Sequence, residues 1–135
     1  MIETHKKKWR HFTVYHLPMI AYGLIVLGIS SIPYLKTPKV RIIAFDKLVH
    51  FLEYAVLAAL TFRSFSRMGS SVSTDRAFLL SALFVVVFAF LDEMHQYLIP
   101  GRDSDPLDFA TDLLGAFLVL VYVWLVRKRT RRPKG

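Results

Sequence analysis

The chain has no cysteine. That absence removes disulfides, thiolate metal sites and cysteine nucleophiles together. Two other catalytic patterns are missing, an H-E-x-x-H run and a G-x-S-x-G elbow. Neither a zinc protease helix nor an α/β-hydrolase nucleophile is therefore expected. No internal repeat or low-complexity tract occurs, and the only linker-like stretch is R-M-G-S-S-V-S-T at 67–74. A single domain over 1–135 is expected. The apolar runs lack period-two alternation, which argues against strands.

Charge is scarce in the middle of the chain and crowded at its ends. Lys and Arg number 18 against 10 Asp and Glu, a net charge of +8. Most of the basic residues sit in two terminal tails, Lys6, Lys7, Lys8 and Arg10 at one end and the run from Arg127 to Lys134 at the other. Basic tails that abut apolar runs read as anchors facing anionic lipid. Nucleic acid is not an expected partner.

What is abundant is apolar surface. Hydrophobic residues make up 54% of the chain, with eleven Phe. A soluble domain stays nearer 45–50% even when Gly is counted. Four apolar segments, 14–35, 47–65, 75–99 and 106–126, each approach the ~20 residues a spanning helix needs. The expected fold is all-α, a polytopic membrane protein built as a bundle of four transmembrane helices. The first segment reads as a span rather than a signal peptide, because it is long, carries Pro18 and Pro33, and lacks a small-x-small cleavage site. Thr74 is the expected cap of the third helix. Asp105, Pro106 and Asp108 are a strong start signal for the fourth. The short turn between those two helices makes them antiparallel neighbours.

Lys and Arg set orientation. Thirteen of the eighteen fall on the side of the termini: four in the N-terminal tail, three (Arg63, Arg67, Arg76) in the second loop and six in the C-terminal tail. The other five are Lys36, Lys39, Arg41 and Lys47 of the first loop, and Arg102 of the third. Both termini are expected in the cytoplasm, in a bacterial inner membrane crossed several times.

Ionisable residues gather where they are least affordable. Residues 91–115 hold Asp92, Glu93, His95, Gln96, Arg102, Asp103, Asp105, Asp108 and Asp112 between two long apolar runs. Each ionised group costs about 2.5–3.5 kcal/mol at mid-membrane on insertion scales. Asp46, His50, Glu53 and Tyr54 share one stripe of the second helix, at spacings i, i+4, i+7 and i+8. Glu53 lies roughly 10 Å from its helix start and Asp92 roughly 10 Å from its helix end, at 1.5 Å per residue. All belong to the same, outer end of their helices, so a single polar cavity opening outward is expected.

These residues carry a resemblance. D-K-L-V-H-F-L-E-Y at 46–54 and D-E-M-H-Q-Y-L-I-P-G-R at 92–102, continued by Asp108, Asp112 and Gly115, resemble the VanZ-like family of small bacterial membrane proteins. The likeness covers 46–115 and the helices on either side. One position departs from it: Asp112 stands where the family usually has Asn. The resemblance implies a cell-envelope protein, and its founding member is associated with reduced susceptibility to the glycopeptide teicoplanin. A link to antibiotic resistance is implied on that ground alone.

Each polar residue has a bland and a sharp reading. Asp46 and Asp108 are helix caps or site groups, and Asp105 is only a cap. His50 is an interface histidine or a site group, and Tyr54 an interfacial aromatic or a site group. His95 faces headgroups or joins the site. Arg102 pairs with Asp103, Asp105 or Asp108, or binds a ligand phosphate or carboxylate through its planar fork. Gly23, Gly28, Gly115 and Ala116 read as close-packing positions. The favoured function is binding of membrane lipid or a lipid-linked envelope precursor, through Asp46, Tyr54, Gln96, Arg102, Asp108 and Asp112. A membrane-embedded hydrolase or transferase is the alternative, with His50, Asp92 and Glu93 catalytic and Glu53, Glu93 and Asp112 able to hold Mg²⁺, Mn²⁺ or Zn²⁺. A purely structural cluster that locks helix register is the third reading. Substrate, cofactor and oligomeric state stay open at this level.

Overall fold

A computed structural model describes residues 2–34, 43–69, 71–102 and 105–131. Five helices run in the order α1 (Ile2–Tyr15), α2 (Leu17–Ser30), α3 (Ile43–Phe65), α4 (Thr74–Tyr97) and α5 (Pro106–Thr130). There is no strand among the described residues. Helices α3, α4 and α5 are each long and apolar enough to cross a membrane, and α1 and α2 make a fourth span if the bent pair is counted as one.

The first segment differs most from expectation. Instead of one helix over 14–35, the chain is helical from Ile2, breaks at His16 and ends at Ser30. Residues 2–15 contain no Gly or Pro and are rich in straight-chain Lys and Arg, which favour helix. The break, a bend of 41°, results from Pro18. Proline has no N–H and its ring crowds the carbonyl four residues back, so the ladder cannot run through it. The helix then ends three residues before Pro33, where the Ser31 hydroxyl donates to the Leu27 carbonyl at 2.6 Å. Lys36, Lys39, Arg41 and Asp103 lie outside the described residues.

The other boundaries shift less. The cap of α4 is Ser73, not Thr74: its hydroxyl accepts from the Arg76 N–H at 3.1 Å. Asp105 caps α5 as expected, accepting from Leu107 N–H at 2.9 Å with Pro106 behind it. α5 continues four residues past the expected end, because Arg127, Lys128 and Arg129 suit the negative end of the helix dipole. Asp46 is not a cap but lies within the first turn of α3.

The bundle buries polar side chains as readily as apolar ones and turns its large apolar ones outward. Thr61, Ser64, Ser81, Asp92, Gln96, Asp108 and Asp112 are buried, whereas Leu24, Ile25, Leu79, Leu83, Leu91, Leu118 and Tyr122 are exposed. That inversion suits a lipid solvent, where association rests on close packing and internal hydrogen bonds rather than on hiding apolar surface. The closest approach is between α3 and α5: a Cβ on Gly115 would fall 2.2 Å from the Phe51 carbonyl oxygen. Gly23 meets the Phe88 ring at 3.4 Å, but Gly28 faces open space and is not a packing position. Tyr54, Leu57, Ala58, Val85, Ala89, Ala116 and Leu120 fill the centre.

Candidate functional site

The polar residues gather at the end of the bundle where α4 turns into α5. They form two hydrogen-bonded groups side by side. In the first, Asp92 of α4 is the hub. Its Oδ2 accepts from Ser30 Oγ at 3.0 Å, Tyr54 Oη at 3.2 Å and Gln96 Nε2 at 3.3 Å. Three helices thus hold one carboxyl, and Tyr54 is fully buried rather than interfacial. Gln96 also donates to Ser30 Oγ at 3.4 Å.

The second group ties α3 to α5. His50 Nδ1 lies 3.0 Å from Asp112 Oδ1, and its Nε2 lies 3.9 Å from Asp108 Oδ2. Lys47 Nζ donates to Asp105 at 2.6 Å and, more closely still, to Asp108. Lys47, a loop charge on sequence alone, sits one turn inside α3 and compensates two acids. Its hydrogen bond, and after it the Leu107 N–H, holds the Asp105 carboxyl below the usual carboxylate range. Glu53 lies between the groups, within electrostatic reach of His50, Asp112, Asp92 and Arg102.

Two residues are left over, and so is one atom of the hub, the buried Oδ1 of Asp92, which has no hydrogen-bond partner. Both carboxylate oxygens of Glu93 and the Nε of Arg102 are buried without a side-chain partner, and the Asp105 backbone N–H approaches the Glu93 carboxyl. Asp105 and Asp108, two of the expected partners of Arg102, are taken by Lys47. Nor do the polar groups line one open cavity, as the spacing suggested. They pack into a bonded core, and the large groove beside it, about 890 Å³, is apolar. Phe90, Leu91, Met94, Leu98, Pro106 and Phe109 line it, and of the polar cluster only Glu93 and His95 reach it. His95 is half-buried and lies 2.8 Å from the Ser31 hydroxyl.

The donor set for a cation also differs from the expected trio. Among the described residues, Asp46, His50 and Asp108 each bring one ligand atom within 4.8 Å of the others. Glu53, Glu93 and Asp112 make no such set. The oxygen and imidazole donors fit Mg²⁺, Mn²⁺ or Zn²⁺, but Lys47 competes for Asp108. Sequence reasoning misses Ser30 and Ser31 as well as Lys47. Two adjacent serines near a helix end look like any membrane-edge hydroxyls, so they carry no signal. Lys47 does, since it sits beside Asp46 at the start of an apolar run.

An all-helical bundle with lipid-facing Leu, Phe and Val and a buried carboxyl cluster defines a membrane protein. The chain matches the VanZ/LLP1 family model over residues 3–127, nearly its whole length, and belongs to that family. No curated protein and no solved structure matches it.

Proposed function

We propose that the chain is a multi-pass protein of the bacterial cytoplasmic membrane that binds a lipid or lipid-linked envelope precursor. The observation that carries this is Glu93: its two carboxylate oxygens are buried with no side-chain partner, approached by the Asp105 backbone N–H alone, beside an apolar groove of about 890 Å³. Buried acceptors without donors are costly, about 1–3 kcal/mol each and more when charged. A headgroup hydroxyl or amine would satisfy them, while an acyl or prenyl chain lies against Phe90, Met94, Leu98 and Phe109. Arg102 stands ready for a phosphate at the same end. Both termini are cytoplasmic in this reading, which places the groove at the outer surface, where an effect on teicoplanin susceptibility would arise. Glu93→Gln or Arg102→Ala should lower lipid retention in native mass spectrometry about tenfold, the ~1.4 kcal/mol of one lost charge-assisted bond. Equal lipid retention in both variants would remove the proposal.

One observation favours a second reading, a membrane-embedded hydrolase or transferase. Asp112 holds His50 Nδ1 and so aims Nε2 toward Asp108, the arrangement that orients a metal-ligating or proton-transferring imidazole. His50, Asp46 and Asp108 would hold the cation and Asp112 would orient the ring. A divalent ion would polarise a phosphoryl or carbonyl oxygen there. Manganese retained after dialysis, and lost in Asp108→Asn at unchanged helicity, would establish the ion. Equal manganese in the variant counts against it.

A further inference from the structure

The opposite end of the bundle carries a second polar feature of the reverse sign. Arg67, just past the end of α3, and Arg127 and Arg131, at the end of α5, line one cavity of about 470 Å³ together with His11 of α1. Ser66, Met68, Gly69 and Val72 complete it, and no carboxylate is among its lining residues. Arg127 feels the charges of both Arg67 and Arg131, so three guanidinium groups are held within reach of one another. None of the three is among the ion pairs of the described residues, and Asp75, an acid at this end, is bound by Lys128 at 2.8 Å. An adjoining cavity of about 440 Å³ shares Arg67, Arg127 and Arg131.

Topology alone does not require this. The positive-inside rule asks for Lys and Arg near a membrane face, not for their convergence. Side chains free to spread would separate. Here packing holds two of the three: Arg67 lies over the Tyr15 ring at 5.1 Å, Arg127 over the Phe62 ring at 5.8 Å, and Arg127 donates to the Ser66 carbonyl at 3.5 Å. A separate observation points to a ligand. Ser66 is 5% exposed and its Oγ is buried without a hydrogen-bond partner, on the wall of the same cavity. A buried hydroxyl donor beside several guanidinium forks is the donor set that a tetrahedral oxyanion takes.

We infer that Arg67, Arg127, Arg131, His11 and Ser66 form a binding site for a phosphate-bearing anion, at the end of the bundle away from the carboxyl cluster. The phosphate belongs either to an anionic lipid headgroup or to a soluble phosphate compound.

The full chain in neutral detergent is titrated with inorganic phosphate, and the chain in nanodiscs of phosphatidylcholine is compared with nanodiscs containing one-fifth phosphatidylglycerol. Saturable stabilisation or a retained bound species in either arm is expected, and the arm that responds identifies the source. Arg67→Gln/Arg131→Gln, both at exposed side chains, should weaken the response at least tenfold. Ser66→Ala, which cannot unfold the chain by charge loss, should weaken it several-fold. Lys6→Gln/Lys8→Gln removes the same charge elsewhere and should leave it unchanged. No response in either arm, an undiminished response in the arginine variant, or an equal loss in the lysine control would overturn the assignment.

Discussion

Asp92 shows what a carboxyl does when three neutral donors surround it. Ser30, Tyr54 and Gln96 all aim at one oxygen, so the group works as a pin between α2, α3 and α4. Interhelical hydrogen bonds in membranes average only ~0.6 kcal/mol. Tyr54→Phe should therefore cost about 0.6–1.5 kcal/mol in reversible unfolding. Asp92→Ala strands three donors and should cost more, about 1–3 kcal/mol. A change in Asp92→Ala below the Tyr54→Phe value would show that burying the acid cancels what its bonds contribute. At this scale the sequence is a good guide to acids and a poor one to their partners. Asp46, His50, Asp92, Asp108 and Asp112 stand out because charge between apolar runs is conspicuous. Ser30 does not, since a hydroxyl in a membrane helix satisfies itself on its own backbone as readily as on a neighbour.

Among the elements, the α3–α5 pair is the tightest joint. Gly115 has no room for a side chain against the Phe51 backbone, and backbone cannot swing aside as a flexible side chain can. Gly115→Ala should part the two helices and cost at least about 2 kcal/mol, with His50 and Asp112 separated as a result. Gly28→Ala meets nothing and should be neutral or stabilising by up to about 1 kcal/mol. Thermal melting of both variants in one detergent checks the contrast. Helix ends are legible where a cap or proline is local, as at Asp105 and Pro106. The first segment is harder to read, because apolarity marks a span and not the full extent of a helix. The polar stretch before Val14 is helical on propensity alone, and Pro18, near the expected start, instead divides it from the apolar helix α2.

At the scale of the whole molecule, opposite charges are sorted to opposite ends: carboxyls around the α4–α5 turn, guanidiniums where α5 finishes. The intervening length differs from helix to helix. At 1.5 Å per residue, the 14 residues of α2 rise roughly 21 Å, against roughly 37 Å for the 25 residues of α5. A bilayer's hydrocarbon layer is about 30 Å deep, so α2 is short and α5 is long for the same sheet of lipid. Only the last turn of α1, before the 41° bend at His16, is apolar, and at about 1.5 Å per residue it makes up only part of that shortfall. The lipid shell must thin on the α2 flank and stay thick on the other. Acyl chains two to four carbons shorter than the bulk should therefore stabilise the protein and collect beside Leu24 and Ile25. Melting in phosphatidylcholines of graded chain length would reveal it, and a flat response from fourteen to eighteen carbons would mean that the membrane beside this protein is level.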